Sequence, residues 1–163
     1  MAEEITIEMI KNSYQKPFEE QIIFNLEQLN YRFYRLTKID TTKENNKKEY
    51  LMIFDSFIAL FRALFLEKGQ KQYSVQNYYR EKGKDEIVKK IDDYLNSKIF
   101  SWCDKSIRDV LKFIADKFVC HIDPISREDL ATANFYMSHL SNPYTKNNLR
   151  EIVENISQIM NKF

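Results

Sequence analysis

Behind Pro17 the apolar positions Ile22, Leu26, Leu29, Phe33 and Leu36 recur at alternating spacings of four and three, one stripe of an amphipathic helix that runs to about Lys38. Pro17 suits the first helical position, where its missing N–H leaves nothing unpaired. The polar run 40–48 reads as a loop leading into a second helix, from about Glu44 to Lys68. The C-terminal two-thirds of that helix is apolar nearly all round, the pattern of a central element covered by its neighbours. Glu67-Lys68-Gly69 ends it, with a basic residue in the last turn and Gly at the left-handed position. Ser74 caps a short helix through Tyr78, Tyr79 and Arg80, closed by Lys82-Gly83. Asp85 opens another, striped by Ile87, Ile91, Tyr94 and Leu95 and reaching toward Ile99.

Ser101 or Asp104 is the expected cap of the next helix, whose inward stripe is Ile107, Val110, Leu111, Ile114 and Phe118. Pro124 disfavours helical backbone at Asp123, so this helix should finish near Ile122. Ser126-Arg127-Glu128-Asp129 then offers a capping box, with Asp in place of the longer Glu. The helix it starts carries Leu130, Ala133, Phe135 and Met137 to about Leu140, where Asn142-Pro143 breaks it. A last helix from about Lys146 to Lys162 presents Leu149, Ile152, Val153, Ile156 and Met160, and a further short one is read from about Ile5 to Tyr14. No segment alternates with the period of a strand and no internal repeat is visible. The pattern predicts an all-α, up-and-down bundle of five to seven helices forming a single helical domain over residues 1–163.

Composition narrows this further. With 2 Gly and 3 Pro in 163 residues, the chain lacks the turn residues that sandwiches and barrels need. Gly69 and Gly83 are too far apart to form one phosphate-cradling loop, which excludes a P-loop or dinucleotide fingerprint. A net charge of +1 gives no global field for collecting polyanions, so binding a nucleic acid would require a local basic patch. Cys103 and Cys120 form no CxxC and have no His at zinc-ligand spacing; both read as core residues of a reduced compartment. Met1-Ala2-Glu3-Glu4-Ile5 lacks the basic segment and long apolar run of a signal peptide, so none is expected. Asp55 and Arg62 interrupt the apolar stretch from Leu51 to Leu66, which counts against a membrane span. A soluble, cytoplasmic protein is expected.

The densest group of reactive side chains lies between Phe113 and Pro124. His121 follows Ile114 by seven residues and so continues the inward stripe, in the last helical turn, where unpaired carbonyls favour the imidazolium. Asp116, Lys117 and Asp123 accompany it. Spacing alone is better satisfied by a histidine that merely caps its helix, with Asp116 and Lys117 as solvated charges. Asp55 and Arg62, seven apart on one face of the central helix, need partners if buried, either as structural ion pairs or lining a cleft. Tyr31-Arg32-Phe33-Tyr34-Arg35 interleaves rings and cations suited to stacking bases, although Phe33 belongs to the core stripe. Tyr78-Tyr79-Arg80 reads the same way, and nothing in the pattern brings His139 to His121.

The string Ala115-Asp116-Lys117-Phe118-Val119-Cys120-His121-Ile122-Asp123 resembles the signature of the HEPN superfamily, in its abortive-infection and toxin–antitoxin branch. There an arginine, usually followed by Asp or Asn, precedes a histidine by four to six intervening residues near a helix end. The resemblance extends over about residues 20–140 through Asp55, the Phe61-Arg62-Ala63-Leu64 segment and the helix start at Ser74-Val75. Ala115 occupies the position of the family's arginine, by natural loss or by an engineered substitution that disarms a toxic nuclease. Residue 123 is Asp, where the subgroup regulated by tyrosine AMPylation carries Tyr.

What the resemblance implies is metal-independent endoribonuclease chemistry without a cofactor: the ribose 2′-OH attacks the adjacent phosphate, leaving a cyclic phosphate and a free 5′-OH. His121 would shuttle the proton, an arginine at 115 would stabilise the pentavalent phosphate, and Asp116 would orient either group. Lys117, with Asp123 and Arg62, would line the substrate side. It also implies RNA as substrate, a homodimer with two motifs facing one cleft, and an antitoxin or other defence-system protein as partner. With Ala115 in place, little or no activity is expected. A non-catalytic helical interaction module is the competing expectation, favoured by the near-neutral charge and the absent arginine.

Overall fold

The structure, a computed structural model, describes residues 18–67, 73–119 and 124–161. Among these residues the chain is all-α, with seven α-helices and no strand. They are α1 (Phe18–Lys38), α2 (Glu44–Phe61), α3 (Val75–Glu81), α4 (Asp85–Leu95), α5 (Ile107–Ile114), α6 (Arg127–Ser141) and α7 (Leu149–Asn161). Two of them run on into short π-helical turns: α2 into Arg62–Leu66 and α5 into Ala115–Val119. The helix expected over residues 5–14 and the Lys68-Gly69 stop lie outside the described residues.

Helix α2 is the centre of the bundle, as its all-round apolar pattern requires. Phe54, Phe57, Phe61 and Phe65 are fully buried along it, and consecutive rings of the last three lie 5.8 and 4.9 Å apart. It packs on α1 to one side and on the Ala115–Val119 turn to the other, while Arg62–Leu66 meets α3 and α5, and α7 packs on α4. The α1 stripe of Ile22, Leu29 and Leu36 is buried, and Phe33 sets its ring 6.0 Å from that of Phe57. One apolar cluster therefore runs through every helix of the bundle.

Five boundaries, the α-helical end of α2 at Phe61 among them, and one stripe differ from the sequence expectation. Helix α4 ends at Leu95, short of Ile99: the Ser97 hydroxyl donates to Tyr94 O at 2.6 Å and Ser97 O accepts the Ile107 N–H at 3.2 Å, turning the chain toward α5. The cap of α5 is Ser106, not Ser101 or Asp104. Its hydroxyl accepts the Asp109 N–H at 3.1 Å, and the Asp109 carboxylate accepts the Ser106 N–H at 3.4 Å, completing a capping box. Asp104 is instead occupied by the Lys98 ammonium at 3.1 Å. The α-helical part of α5 gives way to the π turn at Ala115. Helix α7 begins at Leu149 because Asn148 accepts the Glu151 N–H at 3.1 Å and Asn147, at φ 59°, is already left-handed. On α6, Leu130 and Phe135 face solvent, and the inward set is Ala133, Tyr136, Met137 and Leu140. Ser74 and Gly83 behave as expected, the first accepting the Asn77 N–H at 3.2 Å and the second standing at φ 69° after α3.

Candidate functional site

A π turn inserts one residue into an α-helix, so it rotates the following side chains out of register and is found mostly where a particular side chain must be re-aimed. The two π turns here touch through one ion pair. Arg62, first residue of its turn, sends Nη1 to Asp116 Oδ1 at 2.5 Å and Nε to Glu67 Oε1 at 2.6 Å. Asp116 is the second residue of the other turn. The guanidinium is therefore clamped between a carboxylate from the end of its own helix and one from the motif helix. All three side chains are partly shielded from water, a setting in which charge-assisted hydrogen bonds exceed the strength of exposed pairs.

The remaining sequence-predicted residues divide around this contact. Lys117 lies beside Asp116 but reaches the other way, to Asp129 Oδ2 on α6 at 3.1 Å. That contact first, then the Ser126 hydroxyl, holds the Asp129 carboxyl below its ordinary range. Asp129 thus closes only half of a capping box, accepting from Lys117 while its own N–H donates to Ser126 at 3.0 Å. Ala115 faces the core with 0 % exposure, packed with Leu111 and Ile114. His121 and Asp123 lie outside the described residues, as does Cys120. Asp55, two turns before Arg62 on α2, is not its partner: Asp55 Oδ1 is buried with no hydrogen-bond partner, and burial pushes its carboxyl above the ordinary range.

The aromatic and basic stretch on α1 is split by the helix. Phe33 turns in, Tyr31 and Tyr34 turn out, and the arginines reach across to α2: Arg32 Nε donates to Ser56 at 3.1 Å and Arg35 pairs with Glu49. Tyr78 on α3 donates to Glu19 at 3.1 Å, and Lys82 holds the same carboxylate at 3.0 Å, so this group ties α3 to the start of α1. His139 stacks on Trp102 with centroids 4.7 Å apart, and its Nδ1 lies 2.9 Å from Phe135 O, in an aromatic group apart from the Arg62–Asp116 contact. Cys103 is half-buried, and burial raises its thiol pKa.

One residue of the site's support was not legible as such. Arg108, on the inward arc of α5, is 6 % exposed. Its Nη1 donates to Phe65 O and Leu66 O at 3.4 and 3.1 Å, its Nη2 to Asp92 Oδ1 at 2.6 Å and its Nε to Asn96 Oδ1 at 2.9 Å. Gln76 adds a second bond to Phe65 O at 2.8 Å. The carbonyls at the end of the Arg62–Leu66 turn are thereby satisfied by side chains from α3 and α5, which fixes where Arg62 and Glu67 stand. The signal was an arginine three residues before Leu111 and seven before Ala115, on a face that is otherwise apolar.

Among the described residues no three His, Cys, Asp or Glu side chains converge as a metal site would require. No described helix is long and apolar enough to cross a membrane. No family model, no characterised protein and no solved structure matches the chain.

Proposed function

We propose that this chain is a HEPN-type ribonuclease of a phage-defence or toxin–antitoxin system, attenuated by alanine at position 115. The observation that supports this reading is the Arg62–Asp116 contact, which brings a guanidinium against the acidic residue of the motif helix, a few residues before His121. In the reading, His121 moves the proton between the 2′-OH and the leaving 5′ oxygen, Asp116 orients the charged groups beside it, and Lys117 meets the substrate backbone only by leaving its contact with Asp129. The missing element is a guanidinium free to follow charge onto the phosphate, since the one present is already shared between two carboxylates. Purified chain should leave RNA intact in the presence of a chelator. Ala115→Arg should cleave it under the same conditions to give 2′,3′-cyclic phosphate ends, and adding His121→Ala should end that cleavage. A folded Ala115→Arg protein that leaves RNA untouched would overturn the assignment.

A second reading has its own support. Position 115 is fully buried in the turn that packs on α2, where alanine adds little volume to the core. A non-catalytic helical module that binds a partner protein needs no arginine there, and in that case Ala115→Arg loses stability without gaining cleavage.

A further inference from the structure

The ends of α1 and α6 and the starts of α2 and α7 enclose a cavity of about 790 Å³, within the size range of small-molecule sites. Its wall is apolar through Phe33 and Leu36 of α1, Leu51 of α2, Leu140 of α6 and Leu149 of α7. Most of the neutral polar groups around it are committed within the chain. Thr37 and Ser138 each donate their hydroxyl to a carbonyl of their own helix, Tyr34 O at 2.7 Å and Phe135 O at 2.8 Å. The Tyr50 hydroxyl is paired with that of Ser141. Asn148 donates its amide to the carbonyls of Asn142 and Pro143, both at 3.3 Å, and its Oδ1 accepts the Glu151 N–H. What remains for a ligand is apolar surface and two cations, Lys47 and Arg150; no carboxylate lines the cavity among the described residues. Lys47 bonds Glu44 at 2.5 Å and Arg150 bonds Glu154 at 2.8 Å, each pair exposed and within one turn of its own helix. Such pairs hold little energy, so the ammonium and the guanidinium can turn to a better-placed anion.

We propose that this cavity binds a fatty-acid carboxylate, its alkyl chain against the apolar wall and its headgroup taken by Lys47 and Arg150. The wall chemistry selects this class. The same two cations would attract a nucleotide, but a base edge needs free donors and acceptors, and the one amide in the wall is already spent. An alkyl chain needs none, and gains with each methylene that it takes out of water. A neutral or cationic amphiphile would forgo the charge-assisted bonds at the headgroup. Lys47 stands one long stretch of helix before Arg62, roughly 22 Å along α2. No residue of the motif lines the cavity, so this site stands or falls apart from the ribonuclease reading.

Isothermal titration calorimetry of the full chain with dodecanoate, kept below its micelle concentration, should show one saturable site with a Kd below about 100 μM. Decanoate should bind about five- to tenfold more weakly, and octanoate more weakly again by the same factor, because each lacks two further methylenes. Dodecanol, which has the chain without the charge, should be weaker than dodecanoate by about tenfold or more. Lys47→Ala combined with Arg150→Ala should weaken dodecanoate about tenfold; both side chains are exposed, so circular dichroism of the free protein should not change. Leu51→Trp, which fills the cavity from α2, should abolish binding in a protein that still folds. The proposal is overturned by the absence of saturable binding up to about 1 mM, by uptake at many equivalent sites, or by dodecanol binding as tightly as dodecanoate. It is equally overturned by a double variant that binds like the parent chain, or by AMP occupying the cavity in place of dodecanoate.

Discussion

Arg108 is the one charged side chain among the described residues that is buried, and four acceptors from two segments converge on it. Removing one partner of a buried, hydrogen-bonded charge leaves the others unpaired in a poorly solvating interior, at a cost of about 3–5 kcal/mol. Arg108→Ala should lower the unfolding free energy by that order, read from urea denaturation, and should do so with the slope unchanged if only the native state is affected. Arg108→Met, which fills the space without the charge, should leave the Leu66 carbonyl without this partner while Phe65 O keeps its bond from Gln76, and should cost less than alanine. At this scale the sequence was legible in part. The stripes of α1 and α7, and that of α5 as far as Ile114, named residues that are buried or packed against the core, because a 3.6 period is a local property. The partners of Arg108 come from residues 65, 66, 92 and 96, and those of Arg62 from residues 67 and 116, so only the packing reveals them. Asp55 and Arg62 illustrate the same limit: seven residues apart on one face, they suggested a shared fate, yet one is clamped by two carboxylates and the other is half-buried, with its buried Oδ1 unpaired.

Among the elements, the starts after Ser74 and Ser126 and the ends at Lys38, Gly83 and about Leu140 were readable, whereas the end of α4 and the starts of α5 and α7 were not. Ser74 and Ser126 were placed correctly because a cap is a contact across three residues, and the loop before α2 because its residues are polar. The start of α5 was misplaced, because three candidate caps crowd between Ser101 and Ser106 and the choice depends on which carboxylate is free to answer. Asp104 is held by Lys98; Asp109 is not, and returns the bond to Ser106. Ser106→Ala should therefore destabilise the protein by about 1 kcal/mol, whereas Ser101→Ala and Asp104→Ala should change it by less than about 0.5 kcal/mol. Thermal melts of the three variants distinguish the assignments, and equal losses from all three would contradict the cap. The two π turns were illegible for a different reason. Nothing in the composition of Arg62–Leu66 or Ala115–Val119 disfavours an α-helix, and the extra residue is accommodated by what surrounds it: for the first turn, the side chains of Arg108 and Gln76 bonded to its last carbonyls.

Across the whole molecule the ionisable groups pull stability in opposite directions as pH changes. The Asp109 carboxyl is held below its ordinary range, chiefly by the Ser106 hydroxyl, so its contribution is present above the unfolded pKa and is lost as pH falls through the folded one. Glu19, held by Lys82 and Tyr78, and Asp129, held by Lys117, act in the same sense. Asp55 acts against them. Burial raises its carboxyl above the ordinary value of 3.8, so the folded state prefers the proton, and stability declines as pH rises through the raised pKa. Because one apolar cluster joins all the helices, local protonation should be felt in a single cooperative transition. The chain's one tryptophan, Trp102, ringed by Phe100, Phe135, Tyr136 and His139, reports that transition by fluorescence while circular dichroism reports the helices. Asp55→Asn replaces the carboxyl with a neutral group of the same shape. The variant should match the parent chain at a pH low enough to protonate Asp55 in both states, then grow more stable than it as pH rises, with the two probes coinciding throughout. Parallel stability curves at every pH would show that Asp55 carries no such penalty. A tryptophan transition that precedes the helical one would show that the turn between α4 and α5 unfolds apart from the rest.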